Sequence, residues 1–333
     1  MGAMRAQRPW IPLALVGVLS WCGACSGRAS GPDPDAAQAL ESGLAALDAG
    51  NTRNAIADLA RAAELDPDWV EAWASLNAAA WIAHDPDQLV RSARWLLEHE
   101  QGTWRVAERM AEAALGSGMY EEAQEAVDWL SADRPRAPGT RLIEARLAFE
   151  KGELDRAGNK ARQASQAAQP EAEAFHILGR VAEERGNGAA AVEAYESALE
   201  LNPGHQGARD ALALLHSRRG REQEAARHRE LHARVADALG RHFRSRPAAE
   251  RRSHFEPLVE ELPSWRLGRI ELASALLELE EWNAAKAQLN EALARDPENS
   301  RAHQLMGQLL TSRGNPNAAA LHFERARALG PAR

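Results

Sequence analysis

Only two cysteines, two tyrosines and five phenylalanines occur in 333 residues, and each scarcity removes a class of protein. Both cysteines, Cys22 and Cys25, close an N-terminal apolar run, so the body of the chain has no thiol for a disulfide framework or a cysteine-built zinc site. Ser26 follows Cys22-Gly23-Ala24-Cys25 where haem attachment would need histidine, and an apolar leader lacks the βαβ context of a thioredoxin-like pair. Aromatic residues make up 5% of the chain and no stretch alternates β-branched with polar residues, which argues against sheet. The apolar run from Trp10 to Trp21 is too short to span a bilayer comfortably. Glycine-rich phosphate loops, a Gly-x-Ser-x-Gly elbow and a Cys/His pair in a catalytic frame are all missing, so three common routes to catalysis lack their residues.

Alanine dominates instead, and it is periodic. Ala55, Leu89, Ala123, Ala157, Ala191 and Ala225 follow one another at 34 residues; after a gap of 60 come Ala285 and Ala319, again 34 apart. Four residues beyond each rung stand Leu59, Ala93, Val127, Ala161, Tyr195, Arg229, Leu289 and Phe323. Three further on are Ala62, Leu96, Leu130, Ala164, Ala198, His232, Ala292 and Ala326. Such spacings place all three on one helix face, where small residues admit a second helix closely. Five residues before the rungs are Gly50, Gly118, Gly152, Gly186, Gly220 and Gly314, with His84 and Glu280 as exceptions. Glycine there supplies the left-handed residue that closes one helix before the next. Twelve residues after the rungs, Pro67, Pro135, Pro203, Pro297 and Pro331 stop the second helix, with Pro170 one place late. A fixed period in this range means one supersecondary unit stacked on its copies.

Helix, glycine turn, helix and proline stop at period 34 resembles the tetratricopeptide repeat family. The copy from Ala172 to Pro203 carries most of the family pattern in Phe175, Leu178, Gly179, Ala182, Gly186, Ala191, Tyr195, Ala198 and Pro203. The last copy matches through Gly307, Gly314, Ala319, Phe323, Ala326 and Pro331, whereas the second is degenerate at His84-Asp85-Pro86, Leu89 and Gln101. In the sixth, Arg229 and His232 occupy core positions of the second helix. The resemblance implies an all-α, right-handed α-solenoid. It divides the chain into repeats one to six at 36–235, a basic helical insertion at 236–265 and repeats seven and eight at 266–333.

The first 24 residues read as an address. Arg5 and Arg8 give a positive start, the apolar run follows, and Gly23-Ala24 precede Cys25. Small residues before a cysteine resemble a bacterial lipobox, with Cys22 where leucine is usual, and imply that Cys25 carries lipid. Cleavage without lipid and an uncleaved anchor are the alternatives. Residues 25–35 form a Gly/Ser/Pro tether, and Ser26 after Cys25 fits outer-membrane sorting. The expectation is a lipid-anchored protein on the periplasmic face of the outer membrane, in the cell envelope.

Without Arg5 and Arg8, 38 basic side chains face 48 acidic ones, a formal charge of −10, which argues against nucleic acid as a general partner. The distribution is uneven: from His216 to His254 eleven arginines face five acids. Three readings compete for this stretch. It is a solvated helix bridging two parts of the array; or Arg218, Arg219, Arg241, Arg244, Arg251 and Arg252 dock an anionic partner; or His228 and His232, one turn apart, ligate metal. His228-Arg229-Glu230-Leu231-His232 lacks the zinc-protease motif, and neither metal nor cofactor is expected.

Family resemblance also nominates a partner face on the first helix of each repeat. Carried over by position, it names Trp81 and Ile82; Arg105 and Glu108; Leu142, Arg146 and Phe149; and His176, Arg180 and Glu183. Arginine beside aromatic rings suits peptide carboxylates or extended segments. The Lys/Asn set that clamps a C-terminal carboxylate in some family members is not reproduced. The functional expectation is a non-catalytic adaptor for a protein or peptide segment, with a small-molecule substrate disfavoured. An envelope hydrolase or metal-dependent enzyme using the histidine-rich insertion is the alternative.

Overall fold

The computed structural model describes residues 31–168, 170–240 and 243–329. Among these residues there are seventeen α-helices, one short 3₁₀ turn at Phe243–Ser245 and no strand. The chain forms two compact units, Met1–Glu153 and Leu154–Arg333. In the first lie α1 (Pro34–Asp48), α2 (Thr52–Leu65), α3 (Val70–Ala83), α4 (Pro86–Glu98), α5 (Trp104–Gly116), α6 (Tyr120–Asp133) and α7 (Pro138–Glu150). The second holds α8 (Leu154–Ser165), α9 (Ala172–Glu184), α10 (Gly188–Leu201), α11 (Gln206–Arg218) and α12 (Glu222–Ala238). It continues with α13 (Ala248–Glu261), α14 (Arg266–Glu278), α15 (Trp282–Arg295), α16 (Ser300–Ser312) and α17 (Pro316–Leu329). Within each unit the architecture is an all-α repeat solenoid of stacked helical hairpins.

The turns explain why the period holds. All eight residues five before a rung take positive φ, from 71° to 77° at the glycines, 54° at His84 and 60° at Glu280. At each, the next residue's N–H donates to the carbonyl five residues back, as in Asn51 to Ala46, Asp85 to Ala80, Asn187 to Ala182 and Glu281 to Leu276, at 2.8 to 3.0 Å. This bond closes the helix end in a Schellman arrangement. Asn51, Asp85, Asn187 and Asn315 then cap the following helix with their side chains. One residue pair therefore stops a helix and starts the next.

Packing between paired helices is set by complementary size. A Cβ built on Gly43, Gly179 or Gly307 would meet Leu59, Tyr195 or Phe323 at 2.7, 2.4 and 2.6 Å. In these three pairs the large residue four after the rung is matched by glycine on the first helix, whereas Leu289 is accommodated opposite Ala273. Where the first helix carries Asn77 or Ala111 instead, its counterpart is Ala93 or Val127. The rungs themselves are at most 3% exposed.

A second recurring contact ties each first helix to the loop before it. Trp73 Nε1 donates to the Pro67 carbonyl at 2.8 Å, and Arg209 Nε to Pro203 at 2.9 Å. Arg269 Nε donates to Pro263 at 2.9 Å, and His303 Nε2 lies 2.9 Å from the Pro297 carbonyl. Tryptophan, arginine and histidine share nothing here but an N–H at the right reach, which keeps a proline carbonyl satisfied.

Two expectations need correction. In the sixth repeat, Arg229 and His232 do not enter the core: Arg229 is exposed and His232 half-buried, while Leu231, Val235 and Ala238 face inward. The helix turns its apolar stripe past the polar residues and runs 17 residues, ending at Ala238 beyond the expected boundary at 235. Nor is the stretch from 236 to 265 a solvated bridge. Phe255 and Leu258 of α13 are 0% and 2% exposed, and Trp265 is 1% exposed in one core with Val235, Ile270 and Leu276. Arg251, Phe255, Leu258 and Pro263 stand 34 residues before Ala285, Leu289, Ala292 and Pro297. The insertion carries the second helix of a shortened repeat, with buried Arg251 on the alanine rung.

Candidate partner-binding site

In the first unit, five expected residues lie on first helices: Trp81 on α3, Arg105 on α5 and the Leu142–Arg146–Phe149 stripe on α7. All of these are half-buried, and neighbouring Ile82 is 44% exposed. Helices α5 and α7 pack directly on one another. The contact that joins α3 to α5 was not expected: the Arg109 guanidinium lies 4.9 Å from the Trp81 ring centroid. Cation–π attraction of this kind grows as water is excluded. Burial and neighbouring Arg105 lower the Arg109 pKa from its usual value, against a smaller raising effect of Glu112. Neither Arg109 nor Arg146 has an ion-pair partner among the described residues. Nearby Trp104 stands between Arg105 and Arg134, at 5.0 and 4.4 Å. At Gly139 a Cβ would lie 2.8 Å from Glu108 Oε1, so glycine leaves room for that carboxylate. The face offers aromatic area and two cations that form no ion pair among the described residues, and it can take an acidic, partly apolar segment.

His176 and Arg180 belong to the second unit, on α9. The ring of His176 lies beside Tyr195, whose hydroxyl donates to Glu183 Oε2 at 2.6 Å; burial and this carboxylate raise the tyrosine pKa. Glu173 joins His176 and His205, a grouping that sequence spacing did not suggest. Burial pushes the Glu173 carboxyl up, but hydrogen bonds from the two histidines outweigh it and hold the group well below the usual carboxylate range.

The basic stretch is consumed largely by its own neighbours. Arg244 pairs with Glu271 at 2.9 Å, Arg252 with Glu281 at 2.6 Å and with Glu256, and Arg218 reaches Glu183 at 3.8 Å. Arg251 does not belong to a surface patch, because its side chain is 3% exposed and bound to Glu278. Arg219 is exposed beside Gly188, and Arg241 lies outside the described residues, as does Cys25. His228 and His232 do not converge: His228 stacks on His216 at 5.5 Å, while His232 Nδ1 lies 2.8 Å from Asp210. Burial, with Arg209, His216 and Arg227 nearby, lowers the His228 pKa to about 4. Among the described residues no helix is long and apolar enough to cross a membrane.

A family model described as tetratricopeptide repeat matches residues 108–173, 178–228 and 270–333, together more than half of the chain. No curated protein matches it. Among solved structures, the Cut9–Hcn1 heterotetramer of the APC/C is similar at 17% identity, over 88% of this chain and 53% of that one, with a TM-score of 0.39. This chain thus spans about half the length of that relative. A tetratricopeptide repeat protein from Parabacteroides merdae is similar at 16% identity, over 90% and 94% of the two chains, with a TM-score of 0.31. YrrB, described as having an unusual peptide-binding site, is similar at 16% identity over 52% and 90%, with a TM-score of 0.43.

Proposed function

This chain belongs to the tetratricopeptide repeat family, whose members bind protein or peptide segments, and from that premise we propose that it is a non-catalytic adaptor. The observation that carries the reading is the face of the first unit around Trp81, Arg109 and Arg146. Half-buried arginines without carboxylate partners are costly to maintain in a purely structural surface, and a partner carboxylate would satisfy them. Apolar area at Ile82, Leu142 and Phe149 would supply the remaining contact. The preferred partner is a protein segment with acidic and apolar side chains. The test is Arg109→Ala with Arg146→Ala, assayed against the partner captured by crosslinking. The reading expects at least tenfold weaker binding by a mutant of unchanged helicity, and unchanged affinity removes the site from this face.

We place the adaptor in the bacterial envelope, anchored through lipid on Cys25 at the periplasmic face of the outer membrane. The charged start, short apolar run and small residues before Cys25 support this, and one acyl chain contributes about 0.8 kcal/mol per buried methylene. Machinery for pili and secretins, outer-membrane assembly, polysaccharide export or peptidoglycan would suit such a protein. Cys25→Ser should release it to the soluble fraction or block maturation. Membrane fractionation of Cys25→Ser at the normal mature mass would count against the anchor.

A further inference from the structure

We propose that Glu173, His176 and His205 form a binding site for a divalent transition-metal ion, with zinc the ion best matched to the donors. Two neutral imidazoles and a carboxylate are a borderline-to-hard donor set of the kind zinc accepts, with positions left open for water or a partner's group. Glu173 and His176 are one turn apart at the start of α9, and His205 is the residue that caps α11. One donor atom from each lies within 4.8 Å of the other two.

Two of the donor separations are close to those a bound zinc ion sets. His205 Nε2 is 3.0 Å from Glu173 Oε2, and His176 Nδ1 is 3.5 Å from Glu173 Oε1. Zinc bonds of about 2.0 to 2.1 Å in tetrahedral array separate neighbouring donors by roughly 3.3 Å. For these two separations an ion would require shifts of a few tenths of an ångström, while the two histidine donors lie within 4.8 Å of each other. Gly207 leaves room for the His176 ring, since a Cβ there would come within 2.9 Å of His176 Nε2, on the side of the ring away from Glu173. Tyr195 closes the other flank of the His176 ring at 5.6 Å. The side chains are 16%, 13% and 33% exposed for His176, His205 and Glu173, so the site is sheltered yet reachable.

One local bond opposes binding. Ala208 N–H donates to His205 Nδ1 at 3.1 Å, so the neutral ring carries its proton on Nε2, towards Glu173. Metal at Nε2 moves that proton to Nδ1 and breaks the cap. Loss of a helix cap is worth about fivefold in affinity, small against the gain from three ligands. The same property offers a clean variant. Asn299 occupies the equivalent place before α16 and caps it through Ala302 N–H at 3.0 Å, so His205→Asn removes a ligand while keeping a cap.

The test titrates the full chain, stripped with chelator, with Zn²⁺ by calorimetry and with Co²⁺ by visible absorption. The proposal expects one micromolar equivalent and the intense d–d bands of low-symmetry cobalt. Glu173→Gln and His205→Asn should each weaken that equivalent at least tenfold with helicity unchanged. His303→Ala, which removes one of two histidines whose Nδ1 atoms lie 2.9 Å apart elsewhere in the unit, should leave it intact. Absence of a tight equivalent, or its survival in both ligand variants, overturns the proposal: the cluster is then a hydrogen-bonded clamp or the binding is adventitious.

Discussion

Gly179→Ala should destabilise the second unit although alanine is the better helix former. An added Cβ would lie 2.4, 2.6 and 2.7 Å from three atoms of the Tyr195 ring. That ring is 0% exposed and its hydroxyl is held by Glu183, so it has nowhere to move. Overpacking of this kind costs about 1–3 kcal/mol. Helix propensity returns about 1 kcal/mol of it. The expected net loss is up to about 2 kcal/mol, read as a lower urea midpoint by circular dichroism. Gly116→Ala, in a helix position with nothing within 4 Å, should instead be neutral or stabilise by up to about 1 kcal/mol. Tyr195→Val would recreate the Ala/Val pairing of Ala111 with Val127, so Gly179→Ala on that background should lose its penalty. The double-mutant coupling should reach about 1 kcal/mol or more. Additive effects, or stabilisation by Gly179→Ala alone, would refute the size-complementarity argument.

Other expectations follow from the same features. Glu280→Gly and His84→Gly should each stabilise by about 1 kcal/mol, because both residues sit at positive φ; hydrogen–deuterium exchange at the adjoining turn should slow. Stability should fall on acidification between about pH 6.5 and 4, since the unfolded His228 takes its proton near 6.5 and the buried one only near 4, so protons favour the unfolded chain. His228→Leu should flatten that dependence in thermal melts taken across the window. Arg251→Ala should destabilise the second unit by about 1–3 kcal/mol, because it strips a buried side chain from the core around Phe255 and frees Glu278; urea melts measure it.

Much of this fold is legible because a solenoid writes its contacts locally. The alanine rungs, the left-handed turn residues and the proline stops are all short-range requirements, and each repeats where the structure needs it. The shortened repeat is hard to read in the sequence because arginine holds the alanine rung at Arg251 and eight residues are missing from the period. Phe255, Leu258 and Pro263 are the signal that remains, 34 residues before Leu289, Ala292 and Pro297. Arg229 and His232 misled because a helix can rotate its stripe by one residue, as Leu231 and Val235 show. The candidate face was legible in Trp81, Arg105, Leu142, Arg146 and Phe149 by position alone. Arg109 was not, since its place does not usually line that face and only the ring of Trp81 gives it a role. Glu173 and His205, 32 residues apart, meet because stacking places one repeat's first turn beside the next repeat's cap.

The central claim is that the Trp81–Arg109–Arg146 face captures a protein segment. Site-specific photocrosslinking in intact cells tests it most directly, with a photoreactive residue placed in turn at 81, at 146 and at exposed Arg61 on a second helix. The account predicts one discrete protein adduct shared by positions 81 and 146 and absent at 61. Adducts at 61 without any at 81 or 146 would contradict it.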